Sequence, residues 1–153
     1  MRARTALIAI PLALGLVACG GGKDDGGAGQ GSGGKSEAIA VKDSGLGSIL
    51  VDGEGRTLYA FTKDKGGASN CDAKCIAVWP ALTGGAKASA GKGVKSALIQ
   101  EAKKSGGAVQ TTYGGWPLYY YVGDAAPGDV NGQGLDGQWF VVGADGKLVR
   151  NDT

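Results

Sequence analysis

The sequence contains no histidine, and this absence excludes much chemistry at once. Without imidazole the chain can build neither a serine–histidine nor a cysteine–histidine nucleophile, and it has no histidine metal ligand or pH switch. A strong excess of charge is missing too, because 16 basic side chains face 14 acidic ones, so nothing favours nucleic acid as a partner. Phosphate-binding loops, dinucleotide-binding glycine patterns and G-x-S-x-G elements are also absent. We therefore expect no cofactor and favour a protein without a catalytic centre, although an enzyme is not excluded.

The N-terminal segment is typical of an export signal. Arg2 and Arg4 precede Ala6–Val17, a run of twelve residues without charge, which is too short to span a bilayer because a spanning helix needs about 20 apolar residues. The run ends in Leu-Val-Ala-Cys at Cys19. This resembles the lipobox of bacterial lipoproteins, in which the cysteine becomes the lipidated first residue of the mature chain. We predict a signal peptide at 1–18, acyl chains on Cys19, and a membrane-anchored protein in the periplasm, at the outer membrane or on the cell surface.

Glycine is abundant, with 31 of 153 residues, but it lacks the three-residue period of collagen. Residues 20–36 hold nine glycines and no large apolar side chain, so this segment cannot offset its ordering entropy by burial. We predict that residues 19–36 are a flexible tether with a reach of about 23 Å. The folded domain is expected at 37–153, which contains all ten aromatic residues.

The domain matches itself without gaps at an offset of 60 residues. The shared pattern is Gly-x-x-Leu-Tyr-x-aromatic-x-x-Asp, followed by Trp fifteen residues after the Asp. It divides the domain into copy one, residues 36–95, and copy two, residues 96–153. The aligned pairs are Ile39/Ile99, Gly55/Gly115, Leu58/Leu118, Tyr59/Tyr119, Phe61/Tyr121, Asp64/Asp124 and Trp79/Trp139.

Alternating apolar residues between glycine-rich turns predict short strands in both copies. The predicted strands are 38–41, 48–51, 58–62, 98–101, 109–112, 117–122 and 139–142, with a final hairpin into 148–150. Lys95–Lys104 is ambiguous, because its composition favours a helix whereas the repeat aligns it with a strand, and we predict a strand. Together these elements predict an all-β fold, a compact sandwich or partly closed barrel built from two pseudo-symmetric β-meander repeats.

Several motifs carry a family resemblance that covers essentially residues 39–149. The repeated motif runs from Tyr59 to Asp64 and from Tyr119 to Asp124. The other matching stretches are Cys71-x3-Cys75 before Trp79-Pro80, Gly115–Tyr121, and Pro127–Gly134 before Trp139-Phe140. They resemble a bacterial family of secreted lipoproteins with a repeated Tyr-x4-Asp motif. The resemblance implies a secreted repeat of uncharacterised function. It therefore predicts export and a type of domain, but it names no reaction.

Cys71 and Cys75 are the only cysteines after Cys19. Outside the cytoplasm a pair this close is expected to be oxidised, so we predict a structural disulfide. A redox pair is one alternative, but thioredoxin-type sites use C-x-x-C at the start of a helix, and the sequence indicates neither feature. A metal site is another, weakened because two thiolates without histidine rarely complete a zinc shell.

The two motif aspartates allow two interpretations. Asp64 and Asp124 can each end a strand by accepting hydrogen bonds from backbone N–H groups in a turn. Alternatively, the two carboxylates form a pair that acts as acid and base or binds a cation. A weak calcium candidate follows at Asp129, Asn131 and Asp136, although the twelfth residue of that loop is not the glutamate that an EF-hand requires.

Aromatic side chains supply the last candidate site. Tyr113, Trp116 and Trp139 are a possible platform for a sugar, haem or quinone-like ligand, but aromatic residues at strand spacing are also typical of a core. Tyr113 and Trp116 flank the Gly-Gly turn at 114–115 and are expected to be the most exposed.

Our functional hypothesis is therefore a lipid-anchored, non-catalytic binding or interaction module of the cell envelope. Its expected partners are the membrane, through its lipid, and an unidentified small molecule or envelope component. The first alternative is a redox or electron-transfer accessory that uses Cys71 and Cys75. The second alternative is a weak hydrolase that uses Asp64 and Asp124.

Overall fold

The computed structural model describes residues 38–64, 66–85, 88–103 and 109–150. The predicted signal peptide, Cys19 and the tether lie outside these residues, so their assignment stays a prediction. Within the described residues no helix is both long and apolar enough to cross a bilayer.

Short antiparallel strands dominate the described part of the chain. The strands are β1 Ile39–Ser44, β2 Gly47–Asp52, β3 Tyr59–Phe61, β4 Ile99–Lys103, β5 Val109–Tyr113, β6 Trp116–Pro117 and β7 Trp139–Val141. β1 pairs with β2, β3 pairs with β7, and β4, β5 and β6 form a three-stranded sheet in that order. The all-β prediction is confirmed in a sandwich-like form, and the described residues form no closed barrel.

The internal repeat correctly predicted β4, the strand that composition left ambiguous. Ile39 opens β1 and Ile99 opens β4, so the strand prediction is correct from Ile99 onward. The residues just before it, Ser96–Leu98, form a 3₁₀ turn instead.

The segment predicted as one strand at 117–122 is less regular than expected. It is extended but changes partners along its length: Leu118 N donates to Thr111 O at 3.0 Å, Tyr120 N to Pro80 O at 2.7 Å, and Val122 N to Val78 O at 3.1 Å. Its start is buried, but Val122 is 59% exposed. The prediction of one continuous strand is therefore wrong, because β6 ends at Pro117 and the rest of the segment is extended chain with changing partners.

The sequence analysis missed one short helix, α1, at Ala73–Val78. Asp72 caps it, because its Oδ1 accepts a hydrogen bond from Cys75 N at 2.9 Å. An aspartate at the N-cap position was the sequence signal for this helix, because it can accept from one of the first N–H groups that lack an intrahelical partner. The flanking sequence favours strands, and the helix is only six residues long.

Strand pairing interlocks the two copies. Tyr59 N donates to Tyr119 O, and Tyr119 N donates back to Tyr59 O, both at 2.9 Å. β3 of copy one pairs with β7 of copy two, and in the equivalent place Ala81 of copy one bridges to Tyr119 of copy two. A pseudo-twofold axis therefore passes between Tyr59 and Tyr119, and each copy completes the sheet of the other.

Apolar side chains fill two adjoining clusters around this axis. One cluster contains Ile39, Leu50, Leu58, Leu82, Tyr113, Leu118 and Val142, and the other contains Ile49, Val51, Tyr59, Phe61, Trp79, Tyr119, Trp139 and Val141. Both clusters draw residues from both copies, so neither copy has a complete core alone.

Candidate functional site

The four motif residues contact each other across the copies rather than within them. Tyr59 Oη donates to Asp124 Oδ2, and Tyr119 Oη donates to Asp64 Oδ2, each at 2.7 Å. We call these two reciprocal bonds the crossed clamp. The clamp explains the five-residue spacing, because each copy must present one donor and one acceptor to its symmetry mate.

The second oxygen of each motif aspartate holds the turn that follows it. Asp64 Oδ1 accepts from Asn70 N at 2.7 Å, and Asp124 Oδ1 accepts from Asn131 N at 2.9 Å. These are the backbone contacts of the turn interpretation, with the crossed clamp added. Asp64 is 5% exposed, whereas Asp124 is only half-buried.

Burial changes the titration of the clamp. It raises the pKa of the Tyr59 and Tyr119 hydroxyls above the ordinary tyrosine value, so both stay protonated donors. Burial also raises the pKa of the Asp124 carboxyl, against the lowering effect of its hydrogen bond from Tyr59.

Four aromatic rings stack in a row across the pseudo-twofold axis. The order is Phe61, Trp139, Trp79 and Tyr121, with ring centroids 4.4, 3.8 and 4.5 Å apart. Tyr59 meets Trp79 edge-on at 5.4 Å, and its equivalent Tyr119 meets Trp139 at 5.3 Å. Trp139 is therefore packed among core aromatic residues and is only 4% exposed, and a ligand platform at this residue stays a prediction.

The expectation that Tyr113 is exposed is wrong. Gly114 and Gly115 have φ of 58° and 85°, as a tight two-residue hairpin turn requires, and only glycine adopts both values readily. The turn keeps Tyr113 on the inner face, where it is fully buried. Its Oη accepts from Lys95 N at 3.0 Å and donates to Ala144 O at 2.9 Å. Of the three platform residues, only Trp116 is partly exposed.

The calcium candidates do not converge in the described structure. Asp129 Oδ2 accepts from Ala125 N and Ala126 N, both at 2.9 Å, and so closes a loop. Asn131 Nδ2 donates to Gly123 O at 3.2 Å. Asp136 lies in a 3₁₀ turn, and the described residues contain no group of three or more acidic or cysteine side chains placed to hold a metal ion.

Cys71 and Cys75 form a disulfide, as predicted. Cys71 is buried, and Cys75 is half-buried in the first turn of α1. The expectation that no helix start accompanies the pair is therefore wrong. Cys75 also lines an open cleft of about 330 Å³ beside Val78, Trp79 and Trp139.

A cleft beside Asp124 escaped the sequence analysis. Its volume is about 230 Å³, its lining is mostly apolar, and it is formed by Arg56, Thr57, Pro80, Tyr120, Tyr121, Val122 and Asp124. Only Tyr121 and Asp124 belong to the repeat pattern. The other residues come from separate turns and strand ends that meet only in the fold.

Arg56 forms one end of this cleft without presenting a free charge to it. Its Nη2 lies 2.7 Å from Asp52 Oδ2, and its Nε donates to the same oxygen at 2.8 Å. The guanidinium lies 4.2 Å from the Tyr120 ring centroid, and Tyr120 Oη donates to Asp52 at 3.0 Å. The buried Asp52 carboxylate therefore neutralises the charge of the arginine that lines the cleft.

A more open cleft of about 320 Å³ lies beside Asp64 and is lined in part by Trp116, and these two residues are the repeat equivalents of Asp124 and Arg56. The equivalent positions carry different side chains: Trp116 replaces Arg56, Ala60 replaces Tyr120, and Thr62 replaces Val122. The matching residues support the fold of both copies, whereas the differing residues give the cleft at Asp124 its own chemistry. This difference makes it the candidate functional site.

Comparison with known proteins bears on the repeat. A family model described as a secreted repeat of unknown function matches twice, at residues 40–83 and 101–143. The two matches fall in copy one and copy two. No curated protein and no solved structure matches the chain.

Proposed function

Because the chain belongs to this family of secreted repeats, we propose that it is an exported, lipid-anchored, non-catalytic binding module. The cleft beside Asp124 is its binding site. Cys19 carries the acyl chains, and the glycine-rich tether lets the domain move away from the membrane surface.

The charges that line the cleft indicate the class of ligand. Asp124 is the acidic residue among those that line the cleft, and Asp129 contributes electrostatically to its raised pKa. The charge of Arg56, which also lines the cleft, is already paired with Asp52, and Glu54 lies within 3.5 Å of its Nε. A cleft with apolar walls and an acidic side chain whose charge is not matched by the arginine favours a small organic cation with an apolar body.

The raised pKa of Asp124 supports the same choice. Burial raises it because the ionised carboxylate is incompletely compensated by its neighbours. A bound cation supplies that compensation and lowers the pKa. Affinity should therefore fall as the pH drops through the titration of Asp124, and binding in that range should release a proton.

Titration calorimetry with benzyltrimethylammonium tests the site, with phenylacetate as the anionic counterpart. We expect Val122→Lys to weaken cation binding about tenfold, equivalent to about 1.4 kcal/mol, since it adds a positive charge to the wall. Thr62→Lys is the matched control at the equivalent position of copy one and should bind like the unmodified protein. Equal losses in both variants, or stronger binding of phenylacetate, would contradict the assignment.

The lipid anchor has its own test. The intact mass of the membrane-extracted protein should equal the chain from Cys19 onward plus acyl chains, and Cys19→Ser should abolish both the added mass and the membrane association. An unacylated mature chain found in the membrane fraction would refute the anchor while leaving the binding site untouched.

A redox accessory is the second candidate, favoured by one observation. Cys75 lines the open cleft beside Trp79 and Trp139, while its partner Cys71 is buried, so an incoming thiolate would reach the Cys75 sulfur first. Thiol titration of the native protein decides the question. A pair that resists millimolar dithiothreitol is structural, and one that equilibrates with a glutathione buffer is redox-active.

A further inference from the structure

The contact between the two copies has the form of a symmetric dimer interface. Backbone bonds between Tyr59 and Tyr119 are reciprocal, the crossed clamp is reciprocal, and Trp79 stacks on its own equivalent, Trp139. In oligomers, residue i contacting j while j contacts i defines an isologous interface. Here the interface joins two halves of one chain.

Only a short stretch of backbone links the two halves covalently. Contacts between the copies extend to the bridge between Thr83 and Gln110. The chain then follows β1, where Ile39 N donates to Ser89 O at 2.9 Å and Val41 N donates to Lys92 O at 3.3 Å. Only residues 93–98 remain before β4 begins, and the middle of this connection, residues 95–97, is exposed.

We propose that this interface also forms between two molecules of the protein. The two chains exchange their copies and so form a closed dimer. Copy one of each chain pairs with copy two of the other, so that Tyr59 of one chain donates to Asp124 of the second. Contacts between the copies outside residues 93–98 are reproduced in the dimer, whereas the path of residues 93–98 changes and with it the bond from Lys95 N to Tyr113 Oη. The balance between monomer and dimer therefore depends on the strain of the connection and on protein concentration.

Membrane attachment would favour the exchange. Chains held at one surface by tethers of about 23 Å reach each other at a high effective concentration. This step rests on the proposed lipid anchor, whereas the exchange itself does not, so the two are tested separately.

Cross-linking of two full-length variants tests the exchange. Val122 N donates to Val78 O at 3.1 Å across the copies, and both side chains are exposed. Val78→Cys and Val122→Cys, each in a Cys19→Ser background, are unfolded in urea, refolded together at high concentration with the native disulfide intact, and treated with a short bis-maleimide. Exchange places the two new thiols side by side in different chains, so intact mass should show their heterodimer.

A matched mixture sets the background. Val78→Cys is refolded with Thr62→Cys, whose residue is the copy-one equivalent of Val122 and bonds to Gln138 instead. We expect a several-fold excess of heterodimer in the first mixture over the second. Equal cross-linking in both mixtures overturns the proposal.

The length of the connection gives a second measurement. Deleting the exposed residues Lys95–Ala97 removes half of the connection and makes a closed monomer harder to form, so light scattering should show a larger dimer fraction than for the full-length chain. A deletion variant that stays monomeric at the same concentration overturns the proposal as well.

Discussion

The crossed clamp predicts that Tyr119→Phe is strongly destabilising although it removes only one oxygen. Tyr119 Oη donates to Asp64 Oδ2 at 2.7 Å and lies 2.6 Å from Ser69 Oγ. Both Tyr119 and Asp64 are buried. Because the site is buried, water cannot readily replace the lost donor, and the Asp64 carboxylate loses one of its hydrogen bonds inside the core.

The magnitude follows from the charge of the acceptor. A hydrogen bond to an ionised group contributes about 1.5–3 kcal/mol to stability. We expect Tyr119→Phe to lower the free energy of unfolding by about 2 kcal/mol. In a double-mutant cycle with Asp64→Asn, the two changes should be coupled by at least about 1 kcal/mol, because they remove the same bond.

Urea unfolding followed by tryptophan fluorescence measures the effect, since Trp139 packs edge-on against Tyr119. Tyr121→Phe is the control, because among the described residues its hydroxyl has no hydrogen-bond partner; it should change the free energy of unfolding by less than about 0.5 kcal/mol. If Tyr119→Phe matches this control, or the cycle shows additive effects, then the clamp does not stabilise the fold as argued.

The other predictions concern a glycine, the tyrosines and the disulfide. Gly132→Ala places a Cβ 2.8 Å from the Trp79 ring and should lower the free energy of unfolding by about 1–3 kcal/mol. Gly45→Ala is the control, because its Cβ would meet nothing within 4 Å, and it should be neutral in the same urea assay. Burial raises the pKa of both clamp tyrosines; the native state then holds their protons more tightly than the unfolded chain, so urea midpoints should fall as the pH rises above about 10. Reducing Cys71–Cys75 should cost about 2 kcal/mol, since the loop is short, and a loss of all structure would refute a merely local role.

The repeat explains why much of the fold was predictable. Strand periodicity and glycine-rich turns act over a few residues, so β1, β2, β5 and β7 could be located from local sequence. Self-similarity then resolved β4, where composition alone favoured a helix. The disulfide followed from spacing and compartment.

The errors share a physical cause. Tyr113 was expected at the surface because it flanks a turn, but side-chain direction depends on which face of the hairpin meets the core. The stacking of Trp139 on Trp79 could not be predicted from local sequence either, because Trp79 comes from the other copy, 60 residues away. Neither contact has a local sequence signal, because each depends on pairing between distant segments.

The sequence by itself determined the two-copy plan and most of the strand content, since hydrophobic periodicity, glycine-rich turns and internal repetition can be recognised from the order of residues alone. Only the tertiary structure decided that Tyr59 bonds to Asp124 rather than to Asp64 of its own copy. It alone also brought Arg56 and Tyr120 together at the cleft. The reason is geometric. An extended strand carries the motif tyrosine away from the aspartate five residues later in the same copy, so their side chains cannot bond. The pseudo-twofold axis instead brings the aspartate of the other copy next to the tyrosine hydroxyl.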